Sequence, residues 1–148
     1  MPRVLAVFLS LPLLALAGCD AYGPLRSDNS FRMRVDGEEV AGRAVFESNA
    51  GGLGLPEVVV RAETGTLRIR SAEFLDPTLG APFTPDVGTY YREARGSGTF
   101  YSYERGDVRV TRADGGVMEG EFDLSLRGTV AFVVPVRTRL RGTFRVLR

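Results

Sequence analysis

At 148 residues, with 44% hydrophobic and 25% charged side chains, the chain has the size and balance of one folded domain, which excludes an intrinsically disordered protein. Its formal charge of +1 gives no strongly basic footprint, so no nucleic-acid partner is expected. Histidine, lysine, glutamine and tryptophan are absent, all 19 basic residues are arginine, and there is one cysteine, Cys19.

The chain begins MPRVLAVFLSLPLLALAG, with one arginine and then an apolar run from Val4 to Ala17 broken only by Ser10 and Pro12. That run is shorter than the ~20 residues of a spanning helix and has the basic start, apolar middle and small-residue end of an export signal. The triplet ALA at 15–17 suits ordinary cleavage before Gly18. The tetrad LAGC at 16–19, however, resembles the bacterial lipobox: Leu16, Ala17 and Gly18 match its aliphatic and small positions and Cys19 its obligatory one. The resemblance implies a signal peptide at 1–18, a diacylglycerol thioether on Cys19, acylation of the new amine and a membrane partner through the lipid. A lone cysteine in an oxidising space calls for such an explanation, and two or three acyl chains suffice for stable anchoring. The expected location is the bacterial cell envelope, with the outer membrane favoured slightly over the inner.

Residues 20–30, DAYGPLRSDNS, lack any period and read with Cys19 as a lipidated tether, leaving a single domain at 31–148. Within it alternation of period two recurs, bounded by Gly, Asp and Pro. FRMRV puts Phe31, Met33 and Val35 on one face, Asp36-Gly37 signals a hairpin, and a second strand runs to about Glu47. A glycine-rich loop spans 48–56, EVVVRAE and TLRIRSAEF pair across Thr64-Gly65, and LDPTLGAPFTPDVG forms a long loop. A weaker strand follows near Thr89 to Glu93, then the aromatic strand GTFYSYE, a turn at 105–107, VRVTR, and a turn at ADGG.

In the last two strands even-numbered residues are apolar: Met118, Phe122, Leu124 and Leu126, then Phe132, Val134, Val136, Leu140, Phe144 and Val146. Opposed residues of such a hairpin must sum to an even number, since a one-residue slip turns every side chain over. A tight loop at Thr129 to Ala131 predicts Asp123 opposite Arg137, Glu121 opposite Arg139 and Glu119 opposite Arg141. Pro135 points to an edge or a bulge.

Eight or nine short strands at this spacing predict an all-β fold, either an antiparallel β-sandwich or a closed β-barrel. The order of VDGEEVAG, GTYY, SGTFYSY, VRVTRADGG, MEGEFDLSL and LRGTFRV resembles small uncharacterised β-rich envelope lipoproteins. The resemblance implies fold and location and carries over no catalytic or binding residue.

The lack of histidine excludes a Ser-His-Asp triad and a His-ligated zinc site, and an acylated Cys19 excludes thiol catalysis. ETGT at 63–66 has Glu where an aspartic protease has Asp and lacks a second copy, so it reads as a turn. No calcium loop or phosphate loop is present, and no cofactor, metal or catalytic residue is assigned. Two features suggest binding. The last 25 residues hold six arginines and no acid, so an outward stripe of Arg137, Arg139, Arg141 and Arg145 is a candidate anion contact, against the plainer reading that the acidic strand before it neutralises the stripe. Tyr90, Tyr91, Tyr101 and Tyr103 are a candidate partner patch, against cross-strand packing. The function expected is a binding or structural module at the membrane, with another envelope protein or polymer as partner. The alternative is a small-ligand or lipid carrier with an apolar barrel cavity, and a carboxylate hydrolase stands third.

Overall fold

The computed structural model describes residues 29–48, 54–94, 97–130 and 134–148. Nine strands account for most of them: β1 (Ser30–Val35), β2 (Glu38–Glu47), β3 (Glu57–Ala62), β4 (Gly65–Arg70), β5 (Pro82–Phe83), β6 (Val87–Ala94), β7 (Ser97–Asp114), β8 (Val117–Val130) and β9 (Val134–Leu147). Every pairing is antiparallel, and the order β1-β2-β3-β4-β6-β7-β8-β9 returns to β1, so eight strands close into an up-and-down barrel. The two-residue β5 is an extra strand laid against Val108 and Arg109 of β7. Of the two architectures expected, the barrel is the one formed. Closure removes the open sheet edges that would otherwise template aggregation.

The alternation read from sequence sets which way each side chain points. Phe31, Met33 and Val35 of β1, Val58 and Val60 of β3, Leu67 and Ile69 of β4, Met118, Phe122, Leu124 and Leu126 of β8, and Leu140, Phe144 and Val146 of β9 turn inward and are buried. Val134, expected on that inner face, is instead exposed at the end of the hairpin, Val136 is half-buried, and Phe132 lies outside the described residues. An eight-stranded barrel has an interior just wide enough for side chains to fill. Large residues fit because glycines face them across the strands: Phe31 lies opposite Gly42, Tyr101 opposite Gly128, and Phe144 opposite Gly120. A methyl added at Gly128 would come 2.8 Å from the Tyr101 ring. Most of this core has zero exposure, so these side chains border no space large enough for a water molecule.

The β4 to β6 connection closes one end. Ser71 accepts a hydrogen bond from the Glu73 N–H and starts a 3-10 turn, Ala72–Phe74, which drives Phe74 onto the core. The Phe74 ring meets Phe83 and Phe144 edge-on at 5.5 and 6.2 Å. Arg148 fastens this cap, donating to the Phe74 and Leu75 carbonyl oxygens while its guanidinium lies over the Phe46 ring.

Three expectations need correction. The turn at 105–107 is instead a bulge: β7 runs on through it, with register shifts at Tyr103/Arg105 and Val110/Arg112. Gly106, at φ +122°, takes up the kink while the continuous partner β8 keeps the ladder going. The long proline-containing loop includes β5. Finally, the β8–β9 register is two residues further along each strand than charge pairing suggested. Val130 pairs with Val134, placing Asp123 opposite Arg141 and Glu119 opposite Arg145. That register sets Phe144 against Gly120 and Phe122 against Gly142. Cross-strand charge pairs contribute about 0.2–1 kcal/mol each, whereas overpacking a core site costs about 1–3 kcal/mol, so side-chain volume decides. Pro135 sits on the stretch of β9 that precedes its pairing with β1, which begins at Leu140, and is locally at an edge.

Candidate functional site

The outer face of the barrel is ionic, as the odd positions of β8 and β9 foretell. Asp123 accepts hydrogen bonds from Arg139 at 2.9 and 2.7 Å and from Arg141 at 2.9 and 2.6 Å. The Arg139 contacts, then those of Arg141, hold its carboxyl down at about 2. Glu121 reaches back to Arg109 on β7 at 3.0 Å, and Arg145 pairs with Glu119. On β3, the fully buried Glu57 is held between Arg68 and Arg70, each at 3.4 Å. A surface built this way differs from the outward apolar band of a membrane barrel.

The bulge in β7 creates a distinctive surface feature. It pushes Glu104 out of register, where Arg137 clamps it with contacts of 2.9 Å from Nε and 2.8 Å from a terminal nitrogen. This pairing lowers the Glu104 pKa and raises that of Arg137. Beside the clamp lies an open groove of about 510 Å³ lined by Ser102, Tyr103, Glu104, Arg127, Gly128 and Thr129. The Tyr103 hydroxyl donates to the Gly106 carbonyl oxygen at 2.8 Å, which fixes one wall. Arg127 is exposed and makes no direct ion pair or hydrogen bond among the described residues, though its charge acts on Glu104 in the same groove.

Two residues before Ser102 on the same outward face is Phe100, 56% exposed, directly opposite Tyr91, 43% exposed. Val130 and Val134, paired at the end of the β8–β9 hairpin, are also exposed. The groove thus combines three side-chain hydroxyls, the Arg127 guanidinium and a clamped carboxylate with an aromatic border. Such a surface is suited to binding an extended polar chain with an apolar side group. Among the described residues no three Asp, Glu, Cys or His side chains gather as metal ligands.

The four arginines singled out from sequence all carry acidic partners: Arg137 holds Glu104, Arg139 and Arg141 share Asp123, and Arg145 holds Glu119. The four tyrosines are not one patch. Tyr90 and Tyr101 point into the barrel with ring centroids 5.9 Å apart, Tyr103 is half-buried, and Tyr91 alone is exposed. Cys19 lies outside the described residues. Sequence reading missed Phe100 and Arg127. The parity of GTFYSYE already puts Phe100 opposite in sense to Tyr101 and Tyr103, but a run of aromatics hides which parity faces in. Arg127 is marked out only by the acids it lacks, and those depend on register.

No protein-family model matches the chain, and no curated protein matches it. An eight-stranded barrel is compatible with either a binding or a carrier role.

Proposed function

We propose that the chain is a lipid-anchored protein of the bacterial cell envelope that works as a binding module, presenting the β6–β9 rim to another envelope protein. The observation that carries the reading is the exposed Tyr91–Phe100 pair beside the Arg127 groove. Aromatic residues and arginine together supply most of the energy at protein interfaces. Among the described residues every other large cluster of aromatic side chains is inside the barrel or under its cap. Among the described residues the core side chains are closely packed, which favours surface recognition over carriage inside the barrel, where a small-molecule pocket would need some 300 Å³ or more of open volume. The LAGC sequence ending in Cys19 supports the anchor, and the ionic outer face supports a barrel that stays outside the hydrocarbon of the bilayer.

The test is affinity capture of the full chain from its native membrane, wild type against Tyr91→Ala/Phe100→Ala and Arg127→Ala. A protein that co-purifies with the wild type and is lost from both variants, while their melting temperatures hold, is the expected result. Capture unchanged by either variant would sink the rim as the binding surface. A stoichiometric lipid or small ligand co-purifying with every form would replace the module with a carrier. A Cys19→Ala chain should leave the membrane fraction, and one that stays there would refute the lipid anchor.

A further inference from the structure

Four arginines have no ion-pair or hydrogen-bond partner among the described residues, Arg32, Arg43, Arg105 and Arg127, and they fall into two pairs. From the first pair we infer that the outer face of β1 and β2 is a docking surface for anionic lipid headgroups.

Because Phe31, Met33 and Val35 point inward, Ser30, Arg32 and Arg34 of β1 point outward. Ser30 lies between Arg145 of β9 and Arg43 of β2, and Arg32 in the next outward row lies between Thr143 and Ala41. Ser30, Ala41 and Thr143 are short beside Arg43, which is exposed, and Arg32, which is half-buried. The acids that might neutralise Arg43 are engaged elsewhere: Glu39 faces Arg34 directly, Glu47 is 3.9 Å from Arg61, and Glu119 holds Arg145. The result is positive charge that internal pairing leaves unspent on one face, with guanidinium groups whose planar donors match phosphate oxygens.

The first described residue lies beside this face. Asn29, in the left-handed region at φ 57°, is fixed on both sides: its carbonyl oxygen accepts from the Ala44 N–H and its side-chain oxygen from the Leu147 N–H, each at 3.0 Å. The first described residue is therefore held between β2 and β9, beside Arg43 and Arg145. The orientation argument rests on the lipid-anchor reading. Cys19 precedes Asn29 by ten positions, and ten residues at ~3.3 Å each hold the face within roughly 35 Å of the bilayer. A lipid chain plus a basic surface is the two-signal arrangement by which peripheral proteins hold a membrane firmly. The partner surface is thereby committed to phospholipid, and the Arg105 and Arg127 pair on β7 and β8 serves as an internal control.

The experiment is co-sedimentation of the full chain with phosphatidylcholine vesicles, with and without phosphatidylglycerol, at low and high salt. The excess partitioning into phosphatidylglycerol vesicles is the reading, so any neutral insertion of the apolar N-terminal segment cancels. Each arginine near an anionic surface contributes about five-fold. Arg32→Gln/Arg43→Gln should therefore cut the excess by about twenty-five-fold, Arg32→Lys/Arg43→Lys should keep most of it, and Arg105→Gln/Arg127→Gln should leave it in place. High salt should abolish it. Equal partitioning into both vesicles, or an excess indifferent to Arg32→Gln/Arg43→Gln in a chain whose melting temperature is intact, would overturn the inference. The excess should persist in Cys19→Ala. Failure of the anchor shows as an unaltered membrane fraction in cells, and failure of the lipid face shows only in the vesicles.

Discussion

Asp123 on β8 lies directly opposite Arg141 on β9, and the same carboxylate also receives Arg139. With its carboxyl held at about 2 by these hydrogen bonds, against an ordinary 3.8, Asp123 binds fewer protons folded than unfolded in that interval. Its contribution is present above pH 3.8 and is lost as pH falls through about 2. The side chain is 29% exposed, so solvent screening leaves a contribution on the order of 1–2 kcal/mol. Urea midpoints of the wild type and Asp123→Asn, measured against pH, should converge as pH falls from 3.8 to about 2. A gap independent of pH would mean the arginines do not stabilise the charged form.

Gly42 tests the way the barrel is filled. A methyl there would press on the Arg61 carbonyl oxygen and come 2.8 Å from the Phe31 ring. Gly42→Ala should cost about 1–3 kcal/mol, the usual penalty for overpacking a tight core. Ala41→Ser, one residue earlier on the exposed face, should change stability by no more than about 0.5 kcal/mol. Equal effects of the two in denaturant unfolding would show that the glycine is not there for space.

Phe74 joins the β4 to β6 connection to the core through two edge-on ring contacts. Removing the ring leaves a cavity under the cap, and Phe74→Ala should destabilise by about 3–5 kcal/mol. Phe74→Leu fills much of that volume and should cost markedly less. If Phe74→Ala unfolds with the wild-type midpoint, the cap contributes nothing to the barrel and only decorates it.

The sequence made the strands legible because each strand buries one face, and period two shows that directly. At β8 and β9 it also showed the parity, since Met118, Phe122, Leu124 and Leu126 share it with Leu140, Phe144 and Val146. Register among the even-sum alternatives was not legible from charge, because cross-strand ion pairs tolerate diagonal reach: Arg139 bonds Asp123 although Ser125 is the residue opposite. The glycine pattern was the stronger signal, with Gly120 and Gly142 positioned to receive Phe144 and Phe122. Closure was hidden for a different reason. The β1–β9 and β7–β8 pairings that separate a barrel from a sandwich join residues whose alternation reads the same in either architecture. The free arginines were hidden by the same distance effect. Arg32 and Arg43 read as ordinary outward residues until β1 is seen between β2 and β9.

Tyr90 gives the last prediction. Its side chain is fully buried beside Tyr101, and its hydroxyl has no hydrogen-bond partner, for Thr64 approaches without completing a bond. Burial raises its pKa above the ordinary 10.0. Below pH 10.0 the folded and unfolded chains both keep the phenol protonated. Above it the unfolded chain releases that proton first, so stability falls as pH rises toward the folded value. An unpaired buried hydroxyl costs about 1–3 kcal/mol in desolvation. Tyr90→Phe removes only the oxygen, so the variant should be as stable as the wild type or about 1 kcal/mol more stable near neutral pH. It should also lose less stability than the wild type when urea unfolding is repeated above pH 10.0. A marked drop in the Tyr90→Phe midpoint at neutral pH would mean that the hydroxyl has a partner, and that this end of the interior is bound together by a hydrogen bond as well as by packing.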